Sequence, residues 1–310
     1  MADLLTLGSP THVVIGAIDL DTSINWWTGL GFGVTTENTL DPDVADGLFG
    51  LAGEVEQIEL RVDEAPGGAI WLVQTPRRRS TERTFDAGPY AVDLYTTDME
   101  ASLALAAELG AAPVGRLDYN FDDIAVEQVS VVGPDQSVLV FTQIGDRRPS
   151  VLDIHPEWLH SEIHAIISTV RNVDTANRFW SEQMGMTITA HVNFNLDSGH
   201  ATLMKLPRPV SARTTIICDE FINPIRYEFI EFGDITPDDH AGIVSTWPLP
   251  AARPLGCFTV AHVAASAAQM FRAGATFGDV VDLGDGCAIG GSKAAWGLDP
   301  NGVRFILVGH

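Results

Sequence analysis

One pattern, an apolar strand running into a helix that stops at a glycine, occurs four times along this chain, and few folds are open to a chain built that way. The stretches are His12–Phe32, Tyr90–Ala111, His164–Met186 and Cys257–Ala275, and their helical parts close at Gly31, Gly110, Gly185 and Gly274. A unit this short cannot bury its own apolar face. It must pair with another copy, so the repeat constrains the architecture before any chemistry is considered.

After each helix the sequence continues in strands. In the first unit a helix over Thr22–Thr28, with Asp21 and Thr22 as caps, leads to strands at Gly33–Thr36, Glu56–Val62 and Ala69–Gln74. The second unit repeats the order at Ala112–Arg116, Ala125–Val132 and Ser137–Gln143, with the turn Gly133-Pro134-Asp135 before the last. The third has strands near Thr187–Val192, Thr214–Cys218 and Ile225–Phe232, and the fourth ends in the turn Asp299-Pro300-Asn301-Gly302 and the strand Val303–Val308. Each unit reads βαβββ, and the expected class is a strand-rich α+β protein. The basic run Arg77-Arg78-Arg79 reads as a solvated connection, and the Pro-rich stretch Thr246–Pro254 as a linker inside the second half. The simplest division is two domains of two consecutive units, 1–148 and 161–310, joined by a linker over 149–160.

Composition narrows the partners. Forty-one acidic against eighteen basic side chains give a net charge of −23, which repels phosphate backbones and anionic membrane surfaces. Neither nucleic acid nor membrane is expected as a partner. The N-terminal MADLLTLGSP lacks the basic flank and long apolar run of a signal peptide, and the three cysteines, Cys218, Cys257 and Cys287, form no CxxC pair. A reducing, cytoplasmic setting is the expectation.

The order His12, the strand that follows it, Asp19-Leu20-Asp21, Trp26-Trp27 and Gly29-Leu30-Gly31-Phe32, together with the closing Asp299-Pro300-Asn301-Gly302, resembles the vicinal oxygen chelate superfamily. That group includes glyoxalase I, bleomycin-resistance proteins and extradiol dioxygenases. The resemblance implies two domains, each a curved sheet of two βαβββ units around a cavity. It also implies a divalent metal held by His and Glu from the opening and closing strands. On that reading His12 matches an opening ligand position, whereas its counterparts in the second unit are Ala91 and Val140. His164 lies within one residue of the position in the third unit, where the count gives Ala165, and Glu228 or Glu231 matches a closing carboxylate. No complete metal site is expected, and a divalent metal enters only if the register differs from the one counted.

With paired units facing one cavity, His12 is expected to approach Asp93, a carboxylate in an otherwise apolar strand that also carries Tyr95. A His–Asp pair in a dry pocket has the makings of a general base with an orienting acid. His164 with Glu228 offers a second pair, with Arg226 nearby for an anionic substrate group. Trp71 is expected to line the cavity and stack on a flat ligand, while His191 and His200 read as solvated loop residues and Cys257 as a packing cysteine. The expected function is proton-transfer chemistry (isomerase, cyclase or lyase) on an oxygenated or cyclic small-molecule substrate. The alternatives are a non-catalytic binding protein of the bleomycin-resistance type and a metal-dependent glyoxalase or dioxygenase relative. A homodimer is compatible with either.

Overall fold

The four helix starts show why the units form where they do. Asp19, Asp98 and Asn172 sit in extended backbone and accept from Thr22 N (3.1 Å), Ala101 N (3.0 Å) and Thr175 N (2.8 Å), while His262 opens the fourth helix without a side-chain cap. The first cap is therefore Asp19, not Asp21 or Thr22. At the other end all four glycines adopt the left-handed conformation, with φ of 105°, 83°, 75° and 103° at Gly31, Gly110, Gly185 and Gly274. That conformation turns the chain off the helix into the next strand.

The computed structural model describes residues 7–76, 86–121, 123–219, 224–233, 248–284 and 287–310. Unit one contains β1 (His12–Ala17), α1 (Leu20–Gly29), β2 (Gly33–Leu40), α2 (Pro42–Phe49), β3 (Val55–Arg61) and β4 (Ala69–Gln74). Unit two contains β5 (Gly88–Thr96), α3 (Met99–Glu108), β6 (Ala112–Phe121), β7 (Ile124–Val132) and β8 (Val138–Ile144). Unit three contains β9 (His160–Thr169), α4 (Val173–Ala176, continuing as a π-helical stretch over Asn177–Gln183), β10 (Thr187–Asn195), α5 (Ser198–Leu203), β11 (Ser211–Cys218) and β12 (Arg226–Phe232). Unit four contains β13 (Pro254–Val260), α6 (Val263–Arg272), β14 (Thr276–Phe277), β15 (Val281–Asp282), β16 (Lys293–Leu298) and β17 (Arg304–Gly309). The run Arg77–Arg79 and the first two residues of the Thr246–Pro254 linker lie outside the described residues. No helix among the described residues is long and apolar enough to cross a membrane.

The strands form two mixed sheets, ordered β14-β16-β17-β13-β1-β4-β3-β2, with β15 also on β16, and β10-β11-β12-β9-β5-β8-β7-β6. In each, two opening strands meet antiparallel at the centre, β1 with β13 and β5 with β9. Each closing strand lies parallel beside the opening strand of its own unit. Unit one therefore shares a sheet with unit four, and unit two with unit three. This corrects the expected pairing of consecutive units into halves at 1–148 and 161–310. All four opening strands are almost wholly buried and each offers two edges, so the local sequence does not choose between them.

Units one and two, and units three and four, touch instead through their turns and helices. Ile18 N donates to Asp135 Oδ2 (2.8 Å), joining units one and two, and Asn172 N donates to Asn301 Oδ1 (3.1 Å), joining units three and four. Trp180 Nε1 donates to Asp299 Oδ2 (2.9 Å) at the same junction. The main apolar core lies along these contacts and contains Trp26, Trp27, Phe141, Phe179, Trp180 and Phe258.

The concave faces differ. In the first sheet α2 lays Val44, Ala45, Leu48 and Phe49 against Val14, Trp71, Val73, Leu255, Cys257 and Ile306 in a second apolar cluster that fills the hollow. In the second sheet the equivalent helix, α5, leaves a cavity of about 240 Å³ open.

The glycine turns give a direct test. A Cβ at Gly110 would meet nothing within 4 Å, so Gly110→Ala suffers only from its φ of 83°. The expected loss is about 1–2 kcal/mol. Gly145, equally open but without a positive φ, should tolerate alanine with no loss or a gain of up to about 1 kcal/mol. Urea unfolding of both variants checks this, and equal midpoints would show that the turn is not conformationally selected.

Candidate active site

The floor of the open cavity is built where β5 passes β9. The ladder pairs Asp93 with Ala165 and Leu94 with Ile163, so His164 is an extra residue in a β-bulge. A bulge turns its extra side chain toward the face of its neighbour. His164 and Ala165 thus both serve the position that a count along the sequence assigns to only one. The His164 ring lies flat on Tyr95, with centroids 3.6 Å apart and planes 6° apart, and its Nε2 is 3.3 Å from Asp93 Oδ1. Neither ring nitrogen has a hydrogen-bond partner of good geometry.

β12 runs parallel to β9, opposing Arg226 to Ala165 and Glu228 to Ile167, which brings both side chains to the same floor. Arg226 Nη2 lies 3.2 Å from Glu228 Oε1. Arg226, Glu228, Tyr95, Thr142, Gln128 and Tyr119 face the cavity, while Asp93 and His164, 0 % and 2 % exposed, lie just beneath them. The opposite wall is apolar, formed by Phe194, Leu196, Leu203, Met204 and Ile216.

Burial dominates the electrostatics. It raises Asp93 to about 7, against the Thr142 hydrogen bond and the Arg226 charge, which pull the other way. Burial also raises Glu228, with Arg226 opposing, and pushes His164 well below its ordinary range, with the Arg226 charge adding to the effect. Burial works against the Arg226 charge too, but Tyr95, Glu228 and Asp93 outweigh it. Near neutral pH the floor holds a neutral imidazole, a fixed cation and two carboxyls that resist ionisation. Asp93, raised to about 7, can take up or release a proton at physiological pH.

Five of the seven residues singled out in the sequence converge here: Asp93, Tyr95, His164, Arg226 and Glu228. His12 and Trp71 do not. His12 lies in the other sheet, so its expected pairing with Asp93 is corrected; its Nε2 is 2.8 Å from Glu59 Oε1, and Thr11 Oγ1 lies 3.0 Å from Nδ1. Arg61 Nε and Thr35 Oγ1 also donate to Glu59. Against the effect of burial, these bonds to His12, Arg61 and Thr35 hold Glu59 down at about 2. Such a closed, satisfied network has structural character. Trp71 is fully buried, edge-on to Phe49, with Nε1 donating to Gln57 Oε1 (2.7 Å), and it offers no face to a flat ligand.

Sequence reasoning passed over Tyr119, Gln128 and Thr142, which are scattered across β6, β7 and β8 and become neighbours only through the ladder. His200 sits on α5, not in a loop, and lines the cavity with its Nδ1 2.9 Å from Asp197 Oδ1. His191 is exposed on β10.

Neither a protein-family model nor a curated protein sequence matches this chain. Solved structures do. A glyoxalase I variant from Zea mays superposes with a TM-score of 0.63 at 15% identity, covering 97% of this chain and 92% of its own. The unmutated Zea mays glyoxalase I gives 0.60 at 15% over the same shares. A protein described as a putative dioxygenase from Bacillus subtilis gives 0.64 at 8% identity, covering 98% and 86%. The chain therefore has the vicinal oxygen chelate fold, in its four-unit form.

That fold implies a divalent metal, and the donor set does not fit one. Among the described residues no three His, Cys, Asp or Glu side chains converge as metal ligands. In the open cavity a guanidinium stands beside Glu228, where a second cation would be repelled.

The raised Asp93 carboxyl has a measurable consequence. Folded, it titrates at about 7 against 3.8 for the unfolded chain, so between about pH 4 and about pH 7 the native state holds the extra proton. Its contribution to stability is complete below that window and is lost as pH rises through it. Asp93→Asn removes this dependence, so the variant's stability relative to wild type should climb from about pH 4 to about pH 7 and then level off. Denaturation midpoints across that range test it, and a constant gap would mean that Asp93 is not held protonated.

Proposed function

We propose that the cavity of the second sheet is an acid–base active site that moves a proton on a small oxygenated or cyclic substrate. Glu228 is the group that exchanges the proton with substrate, Arg226 holds the oxygen on which negative charge develops, and the Asp93–His164 pair beneath them sets the local field. One observation carries this reading: a carboxyl raised by burial and a permanently charged guanidinium lie side by side on the floor of a small cavity whose opposite wall is apolar. Acid–base catalysis needs a proton carrier that titrates near the working pH and a fixed donor where charge accumulates. Isomerisation, cyclisation and elimination next to a carbonyl all share that first step, and the arrangement favours none of them over the others.

The steps follow from the side chains alone. Arg226 presents its planar fork of N–H groups to a carbonyl or carboxylate oxygen of the substrate. Glu228, whose ionised form the Arg226 charge favours, takes the proton from the adjacent carbon. The apolar wall keeps water off the resulting anion, and Glu228 returns the proton at a second position. Metal coordination enters no step, because among the described residues no three His, Cys, Asp or Glu side chains assemble for it.

A second reading has its own support. The wall of Phe194, Leu196, Leu203 and Met204 is apolar enough to hold a metabolite without reaction. Proton NMR in D₂O with a panel of small oxo acids and cyclic ketones separates the two. The acid–base reading expects the wild type to exchange substrate hydrogen for deuterium, and Glu228→Gln to lose roughly 10²–10⁴-fold in rate. Arg226→Met should weaken binding as well as rate, and His12→Ala should leave exchange intact. Panel members that bind without exchanging would favour the binding protein, and Glu228→Gln at full rate would dismiss the assignment of the base.

A further inference from the structure

A row of polar side chains crosses the cavity floor and ends on the buried carboxylate. Tyr119 Oη donates to Gln128 Oε1 (3.2 Å), Gln128 Nε2 donates to Thr142 Oγ1 (3.0 Å), and Thr142 Oγ1 donates to Asp93 Oδ1 (2.8 Å) and Oδ2 (2.9 Å). The ladder sets the spacing by opposing Tyr95 to Thr142 and Gln128 to Thr142 across three neighbouring strands. We propose that Tyr119, Gln128 and Thr142 form a one-way hydrogen-bond chain that stabilises the ionised form of Asp93, with Gln128 as the positioning residue that fixes its direction.

The direction follows from the inventory of donors. A hydroxyl has a single proton. Gln128 meets Thr142 through its NH₂ group, which only donates, so the Thr142 proton is free to point at Asp93. The amide oxygen then faces Tyr119, and a phenol supplies the donor that this oxygen needs. Reversing any member reverses the rest. A carboxylate that accepts a committed donor is favoured over its acid, and a hydrogen bond to a charged group is worth about 1.5–3 kcal/mol. The chain is not a proton wire, because an amide does not readily pass a proton on. Protons must reach Asp93 from the His164 side or from the cavity.

The other groups facing Asp93 act alongside the chain. His164 stands 3.3 Å away on β9, and Arg226 on β12 favours the ionised form. Glu228 on β12, Tyr90 and Tyr95 on β5 and Tyr119 itself are each raised by the Asp93 charge. Because the ionised Asp93 helps to keep Glu228 protonatable, the chain's functional meaning rests on the acid–base reading above. Its existence does not.

The test is a titration of the Asp93 carboxyl by ¹³C NMR in protein labelled at aspartate Cγ, with Asp93→Asn assigning the signal. Thr142→Val removes the donor and should raise the midpoint by about one to two pH units, whereas Thr142→Ser should keep it at the wild-type value. Gln128→Glu leaves Thr142 in place but offers it a competing acceptor, so it should raise the midpoint as Thr142→Val does. A rise in Thr142→Val with no change in Gln128→Glu would overturn the role given to Gln128. Unchanged midpoints in both would overturn the chain. A midpoint that moves while deuterium exchange on the substrate panel stays at the wild-type rate upholds the chain and removes only its link to Glu228; a midpoint that moves in a protein whose wild type exchanges nothing upholds the chain and removes only the acid–base reading.

Discussion

The antiparallel pairing of β5 with β9, and the one-residue bulge within it, is the constraint on which the candidate site depends. It places Asp93 and Tyr95 from unit two against His164 from unit three. Because β12 lies parallel to β9, the same junction delivers Arg226 and Glu228 to the adjoining row. A regular ladder would give the floor either His164 or Ala165. The bulge gives it both, and the imidazole ends up buried flat against Tyr95. Units one and four, joined in the same way by β1 and β13, show that the architecture alone does not make the site.

The two hollows differ in what covers and lines them. Helix α2 closes the first sheet with four apolar side chains against a floor containing Trp71, Cys257 and Ile306. Burial of that surface at roughly 25 cal/mol per Å² favours collapse, and the Glu59 carboxylate in the same row as Trp71 is already bonded by His12, Arg61 and Thr35. Helix α5 carries His200 toward a floor holding carboxyls and a guanidinium, and those groups lose solvation if the hollow closes. Related elements thus give a sealed core in one sheet and a pocket in the other. Titration behaviour agrees: Glu59 is held low by satisfied partners, while Asp93 and Glu228 are raised by burial.

Much of this was legible in the sequence because it is local. The four glycines mark the units, and β4 falls on Ala69–Gln74 where the apolar run places a strand. Asp93 stood out as a carboxylate in an apolar strand, and His164, Glu228 and Arg226 were grouped by their place in one unit. What escaped was long-range. Four apolar opening strands with interchangeable edges do not say which pairs with which, so His12 was given Asp93 as its partner when Glu59, forty-seven residues along, supplies it. The bulge at His164 also escaped, since it exists only relative to β5. Helices α2 and α5 are short and flanked by strands, and at eight and six residues they carry too little periodicity to register.

The placement of charge explains why the floor takes this form. Two carboxyls and one guanidinium brought together away from water are costly, and an unpaired charge among them would cost several kcal/mol. The fold limits that cost in three ways: the Arg226–Glu228 contact, the Thr142 donor to both oxygens of Asp93, and an imidazole kept neutral. None of the three saturates its group. Arg226 Nε and both His164 nitrogens lack hydrogen-bond partners, although Arg226 keeps its contact with Glu228 and His164 its approach to Asp93. A purely structural cluster such as His12–Glu59–Arg61 satisfies its carboxylate from several sides. The second floor leaves buried donors unsatisfied where the first satisfies its carboxylate, and that difference distinguishes the two sheets.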